Sequence, residues 1–354
     1  MMNYEQFKEQ FKDDLKKSLE AEGYKIERID VIPNTKLQHG EYDAITVRLE
    51  DSMVGPSGNL ENFFDIYEKS NGNYDTVLGH VTEKFADAIE NVPGYDVNQL
   101  KDYEFIKDKL VLDVVNAEKN EAILNEIPHK KLADLAVVYR AQLGRDGDGI
   151  ATVLINNMML EAMGVTPEQL HKDAVAIAPE IRPVEVNTLM GEIIELTGAE
   201  IPGFEVGGPE DQILVGTVKD KMHGACVLAY PEFLDNMAAQ NGGSFYIIPS
   251  SIHEVLMVPE SLGTDPKALQ EMIETVNATE LRPEDILSDK LYHYDAKERL
   301  FELAEDYQQR TAEKELKPER ESAVKKLKDK EIQVSKEPKR EIKPKVKDRG
   351  EQAI

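Results

Sequence analysis

A break in charge and composition near residue 310 most constrains what this chain can fold into. Residues 311–354 contain no aromatic residue, and their 14 basic and 10 acidic side chains give a net charge of +4. Residues 1–310 contain the other 28 basic and 58 acidic side chains, a net charge of −30. A segment with so little apolar surface cannot offset the entropy that it would lose on ordering. The sequence therefore predicts a folded body over 1–310 and a charged tail, disordered or an extended helix, over 311–354.

Composition also indicates where in the cell the protein is located. Cys226 is the single cysteine, so an intramolecular disulfide framework is excluded. Apolar runs such as Val255–Val258 are far shorter than the ~18 residues of a membrane span. The opening segment MMNYEQFKEQFKDDLKK has no apolar core typical of a secretory signal. These features predict a cytoplasmic protein with no membrane contact.

The acidic charge of the body limits the classes of molecule that it can bind. A net charge of −30 repels nucleic-acid phosphates, so direct nucleic-acid binding by the body is disfavoured. The same charge is compatible with an acidic mimic of nucleic acid that occupies the binding face of a basic protein. Acidic bodies also serve solubility alone.

Residues 1–100 are predicted to hold an N-terminal helix, a hairpin and two further helices. Apolar residues recur at three- and four-residue spacing in the first helix, from Tyr4 to Leu19. Asn3 and Gln6 have the spacing of a capping box, and Gly23 provides a stop. Two strand-like runs follow, and helices then extend to the Val92-Pro93-Gly94 breaker.

Residues 101–200 and 201–310 each read as a β-α-β-β-α-β unit. The strands expected in them include Leu132–Leu143 and Ile150–Ile155 in the first unit and Ala225–Ala229 in the second. A last helix is expected over Ala296–Gln309. This order favours an α+β fold, with mostly antiparallel sheets and helices packed on one face.

Four segments carry a resemblance to a known family. They are GGSFYIIPSSIHEVLMVPE at Gly242–Glu260, LADLAVVYR within Lys131–Arg140, INNMMLEAMGVTPEQLHKDA at Ile155–Ala174 and LRPEDILSDKLYHYD at Leu281–Asp295. Together they resemble an uncharacterised bacterial domain-of-unknown-function family, met in gut anaerobes and often near mobile-element genes. The chain is also distantly similar to the YtpQ-like conserved proteins. The resemblance covers most of 1–310 and implies no assigned activity or catalytic residues.

The densest polar cluster between apolar strands is Ser250, Ser251, His253 and Glu254. A loop of this kind can present a serine nucleophile to a histidine base. The alternative is a turn after Pro249 in which these groups bond the backbone. His253-Glu254 also begins like a zinc-protease motif, but Met257 stands where the second histidine is required.

Metal and nucleotide signals are weak elsewhere. His223 and Cys226 could join His253 as metal ligands, although a lone cysteine is more often a small buried apolar residue. Asp146-Gly147-Asp148-Gly149 fits a hairpin turn better than a calcium loop, and Gly207-Gly208-Pro209 lacks the lysine of a phosphate loop. No cofactor is predicted.

The sequence favours a non-enzymatic protein that acts through contacts with an unknown protein partner. One alternative is a hydrolase that uses Ser250 or Ser251 with His253. The other is the acidic nucleic-acid mimic. Whether His253 lines a cleft or is packed away distinguishes the hydrolase from the rest.

Overall fold

The computed structural model describes residues 1–50, 55–90, 97–146, 149–198 and 212–314. The chain divides into two compact units, Met1–Ala304 and Glu305–Ile354. The Val92-Pro93-Gly94 breaker, Gly207-Gly208-Pro209 and the tail from residue 315 lie outside the described residues.

The N-terminal part packs helices on a small antiparallel sheet. Its elements are α1 (Tyr4–Ala21), β1 (Ile26–Lys36), β2 (Gly40–Leu49), β3 (Ser57–Asn59), α2 (Leu60–Lys69) and α3 (Tyr74–Glu90). The predicted capping box of α1 is confirmed, because Asn3 and Gln6 exchange hydrogen bonds. Phe7, Phe11, Leu15 and Leu19 form the buried stripe of α1 against this sheet. The strand order is β1-β2-β3.

The middle of the chain forms a second antiparallel sheet. Its elements are α4 (Tyr103–Lys107), β4 (Leu110–Asn116), α5 (Glu121–Leu124), β5 (His129–Leu132), β6 (Leu135–Asp146), β7 (Gly149–Leu154), α6 (Asn157–Met163) and α7 (Pro167–Ile181). β6 pairs with β4, β5 and β7, and α7 packs against β4. The predicted hairpin at 146–149 is confirmed by the β6–β7 pairing, although residues 147–148 themselves are not described.

The remaining strands build a six-stranded sheet. Its elements are β8 (Val184–Thr188), α8 (Leu189–Thr197), β9 (Leu214–Val218), α9 (Phe233–Asn241), β10 (Phe245–Ile248), β11 (Val255–Pro259), α10 (Pro266–Thr279), β12 (Tyr292–Asp295) and β13 (Leu300–Leu303). The order is β13-β12-β10-β11-β9-β8, with every pair antiparallel. The predicted α+β class with antiparallel sheets is therefore confirmed.

Two predicted elements are wrong in type. The run predicted as a strand at Ala225–Ala229 is a 3₁₀-helix over Gly224–Ala229, most of it buried. A short apolar run fits a buried helical turn as well as a strand. The helix predicted from Ala296 begins only at residue 304, because Leu300–Leu303 pairs with β12. Asp295 Oδ1 accepts from the backbone N–H groups of Lys297 and Glu298, which closes a turn instead.

The tip of the β1–β2 hairpin is anchored on the middle sheet. Gln38 is buried and has a left-handed φ of 67°. Its backbone N–H donates to Asn120 Oδ1 at 2.7 Å, and its Nε2 donates to the carbonyl of Ile286 at 2.9 Å. Leu37 lies in an apolar cluster with residues of β4 and β6. These contacts bring the hairpin tip beside the loop after α10.

None of the helices in the described part of the chain combines the length and the apolar character that a bilayer crossing requires.

Candidate functional site

A polar cleft of about 440 Å³ lies where the hairpin tip, β4, β6 and three loops meet. Three of the chain's seven histidines line it, namely His39, His223 and His253. Its charged lining residues are Lys36, Arg140, Arg182, Arg282, Asp113, Glu284 and Asp285. His253 therefore lines a cleft and is not packed away.

Asp113 is the buried centre of the charge network under this cleft. It lies on β4 with 2% of its surface exposed. Arg140, on the neighbouring strand β6, donates from Nε to Asp113 Oδ2 at 2.6 Å, and Arg182 Nη1 lies 3.8 Å from Oδ1. Burial alone would raise the pKa of Asp113, but Arg140, His223 and Arg182 together lower it. Asp113 is therefore a carboxylate at neutral pH.

His223 stands at the end of the turn between β9 and the 3₁₀-helix. Its Nδ1 lies 3.6 Å from Asp113 Oδ2, and its side chain is 39% exposed. Burial lowers the pKa of His223 below its ordinary value of 6.5; Asp113 opposes this shift and Arg140 adds to it. With Nδ1 facing Asp113, Nε2 has no hydrogen-bond partner among the described residues. This nitrogen is the one available to a bound molecule.

The turn that carries His223 has strained backbone. Lys221 and His223 have left-handed φ angles of 52° and 53°. Arg182 Nη2 donates to the carbonyl of Met222 and to Asp220 Oδ1, which holds the turn from the inside. Such conformations cost on the order of 1–3 kcal/mol each and persist where the surroundings enforce them.

His253 fixes the same turn from the opposite side. Its Nδ1 accepts from the backbone N–H of His223 at 3.1 Å, and its Nε2 lies 3.5 Å from Asp285 Oδ1. Arg282 in turn donates to Asp285 Oδ2 from Nε at 2.9 Å and from Nη2 at 2.8 Å. Since both imidazole nitrogens of His253 face partners, this residue orients His223.

Close packing also ties the His253 turn to the 3₁₀-helix. Thr217 Oγ1 donates to the carbonyl of His253 at 2.7 Å. A Cβ atom at Gly224 would overlap Thr217 Oγ1 and that same carbonyl oxygen. Only glycine therefore lets the helix approach the turn this closely.

The two predicted serines lie in the same turn as His253 and contact other groups. Ser250 Oγ donates to Glu254 Oε1 at 3.1 Å. Ser251 is buried, and its Oγ accepts from the backbone N–H of His253 at 3.0 Å. Neither hydroxyl bonds the His253 ring in the described part of the chain. A nucleophilic role for either serine stays a prediction.

Cys226 lies in the apolar core and not on the cleft. Its Sγ lies 3.5 Å from the hydroxyl of Tyr230, which donates to the carbonyl of Arg182 at 3.1 Å. Burial raises the pKa of the Cys226 thiol to about 12, against a smaller lowering by Arg182. Within the described ranges, no three His, Cys, Asp or Glu side chains are grouped to hold a metal ion. His223 faces Asp113 at the cleft, and a metal-binding role for His223 with Cys226 stays a prediction.

Several residues of the cleft were missed at the level of sequence. Asp113 had a visible signal, because a carboxylate interrupts the apolar run Leu110–Val115, and a buried charge requires partners. Arg140 and Arg182 had no such signal in the sequence. The pairing of β6 with β4 brings Arg140 to Asp113, and the end of α7 brings Arg182 there.

The fold and cleft define an α+β protein with a histidine- and arginine-lined pocket. The sequence matches the model of DUF5688, a family of unknown function, over residues 4–296, and the chain belongs to that family. No curated protein and no solved structure matches it.

Proposed function

We propose that this protein is a hydrolase that acts on a small molecule in the cleft, with His223 as its proton-transfer group. A volume of about 440 Å³ lies within the range of small-molecule sites, ~300–1,000 Å³. Sequence patterns alone favour a non-enzymatic role, whereas the cleft places His223 beside a buried carboxylate, an arrangement suited to catalysis.

One observation carries the proposal: the buried carboxylate of Asp113 stands behind Nδ1 of the half-exposed His223. A carboxylate in this position favours the tautomer with the proton on Nδ1, which leaves Nε2 as an acceptor. Because the pKa of His223 is lowered, the ring is neutral at pH 7 and can accept a proton.

The proposed reaction is direct attack by water. Nε2 of His223 accepts a proton from a water molecule as its oxygen bonds to the electrophilic carbonyl carbon or phosphorus of an ester. The bond from that atom to the leaving oxygen breaks, and the leaving oxygen takes the proton from the His223 imidazolium. No serine nucleophile is required.

Strain in the His223 turn supports a functional role. A left-handed backbone at both Lys221 and His223 costs conformational energy. Hydrogen bonds from Arg182 and to His253 hold the turn in this conformation. Strained non-glycine residues of this kind cluster at active sites. A merely structural turn would gain stability from relaxing.

The test uses three chromogenic esters: p-nitrophenyl acetate, p-nitrophenyl phosphate and bis(p-nitrophenyl) phosphate. The wild type should hydrolyse at least one of them about 10²-fold or more faster than His223→Gln. His80→Gln is the matched control, because His80 is exposed on α3 away from the cleft. Equal rates for wild type and His223→Gln on all three esters would overturn the proposal.

The hydrolase with Ser250 or Ser251 and His253 is a distinct alternative. Labelling of either serine by a fluorophosphonate probe, lost in His253→Ala, would support it. The contacts of His253 with the His223 N–H and with Asp285 favour the positioning role instead.

Other expectations from the sequence stay predictions. They are the protein-contact role, the acidic mimic, the lack of nucleic-acid binding, the cytoplasmic location, the mobile-element setting and the likeness to YtpQ-like proteins. The division into 1–100, 101–200, 201–310 and 311–354 likewise stays a proposal.

A further inference from the structure

We infer that the cleft binds the phosphoryl group of a phosphate ester, which names the substrate class of the proposed hydrolase and rests on that proposal. The cleft has an excess of cationic side chains, and these lie on separate elements of the fold.

The cleft reverses the charge balance of the body around it. Four cationic side chains and three carboxylates line it, whereas residues 1–310 hold 28 basic and 58 acidic side chains. Asp113 is buried and already faces two arginines and His223. The lining therefore carries a net charge of +1 within a body of −30, and a locally positive site attracts ligands of negative charge.

Arg140 has one guanidinium nitrogen that can donate to a bound molecule. Its Nε bonds Asp113, and its Nη1 lies 3.4 Å from Thr152 Oγ1. Its Nη2 has no partner among the described residues, and its side chain is only 18% exposed. A partly buried guanidinium that is fixed at one edge presents its other edge to an anion without losing further side-chain entropy.

Arg282 and Lys36 add cationic groups from two other elements that line the cleft. Arg282 is bonded to Asp285, its Nη1 lies 3.8 Å from Glu284 Oε1, and its side chain is 73% exposed. Lys36, at the end of β1, is exposed and has no ion-pair partner in the described part of the chain. Arg140 on β6, Arg282 on the loop after α10 and Lys36 at the hairpin tip thus line one cleft from three separate elements.

This arrangement fits a phosphoryl group better than a carboxylate. A phosphoryl group has three peripheral oxygens that accept charged donors from several directions, while a carboxylate has two in one plane. Cations placed around the group also stabilise the charge that develops there during attack by water.

The experiment measures binding of phenylphosphonate, which cannot be hydrolysed, by isothermal titration calorimetry at low ionic strength. Binding should be saturable, stronger than that of benzoate, and weakened about fivefold or more in Arg282→Gln and in Lys36→Gln. Arg299→Gln is the matched control, because Arg299 bonds Asp235 in the same manner and is 68% exposed but does not line the cleft. Its affinity should equal that of the wild type.

Three outcomes would overturn this inference: no phenylphosphonate binding, benzoate binding at least as tight, or equal weakening by Arg299→Gln. The binding and hydrolysis experiments together distinguish failure of the phosphoryl site from failure of the proposed hydrolase. Phenylphosphonate binding that needs Arg282, with no His223-dependent hydrolysis, supports the inference and contradicts the hydrolase. Hydrolysis of p-nitrophenyl acetate that needs His223, with no phenylphosphonate binding, does the reverse.

Discussion

The imidazole of His253 accepts a hydrogen bond from the backbone N–H of His223 at 3.1 Å. Through this bond, one cleft histidine holds the strained turn that carries the other. Asp285 and Arg282 extend the contact on one side, and Asp113 and Arg140 face the His223 ring on the other. Two series of charged side chains, one from the loop after α10 and one from β4 and β6, thus meet at His223.

Replacing His253 should weaken the fold modestly. His253→Ala removes the acceptor of the His223 N–H, and the loss of one such bond costs about 1 kcal/mol in the free energy of unfolding. Urea denaturation of His253→Ala measures this change in the free energy of unfolding. His80→Ala is the control, because His80 is exposed on helix α3. If His253→Ala and His80→Ala unfold at the same urea concentration, the bond does not stabilise the turn.

A pair of glycine substitutions tests the packing behind the site. Gly224→Ala should destabilise the protein by about 1–3 kcal/mol or more, because the new methyl group would overlap Thr217 Oγ1 and the His253 carbonyl. Gly79→Ala, in the middle of α3 with no atom within 4 Å of the added Cβ, should instead stabilise it by roughly 0.5–1 kcal/mol. Thermal unfolding distinguishes the two. Similar melting temperatures for both variants would contradict the close approach.

The sequence predicted those parts of the fold that local signals specify. The stripe and capping box of α1 were readable because both depend on residues a few positions apart. Ala225–Ala229 was not, since a five-residue apolar run carries no period that separates a strand from a helical turn. The predicted strand Leu132–Leu143 is interrupted at Ala133, whose left-handed φ of 53° turns the chain between β5 and β6.

The candidate site was predictable only in part, for a different reason. His253 was visible as a polar residue between apolar strands. Its relation to His223 depends on loops 30 residues apart, and that of Asp113 to Arg140 on strand register. Partners set by tertiary contacts leave no periodic signal. The serines beside His253 were the nearest candidates along the chain, and the structure gives them other hydrogen-bond partners.

The thiol of Cys226 should be unreactive in the folded protein. Burial raises its pKa to about 12, so almost no thiolate is present at pH 8. A thiol-specific disulfide reagent such as DTNB should modify no cysteine in native protein within minutes, and one per chain in urea. Rapid modification of native protein would show that Cys226 is accessible. Cys226→Ala, tested in parallel, should show no modification in either state.

The pH dependence of hydrolysis tests whether His223 is the base. A base accepts a proton only in its neutral form, and the pKa of His223 lies below 6.5 because burial disfavours the imidazolium. The rate of ester hydrolysis should therefore be level near pH 7 and fall about tenfold per pH unit below the pKa of His223, as the proton occupies Nε2. In His223→Gln the residual rate should lack this acid limb. An acid limb with the same midpoint in wild type and His223→Gln would contradict the assignment of His223 as the base.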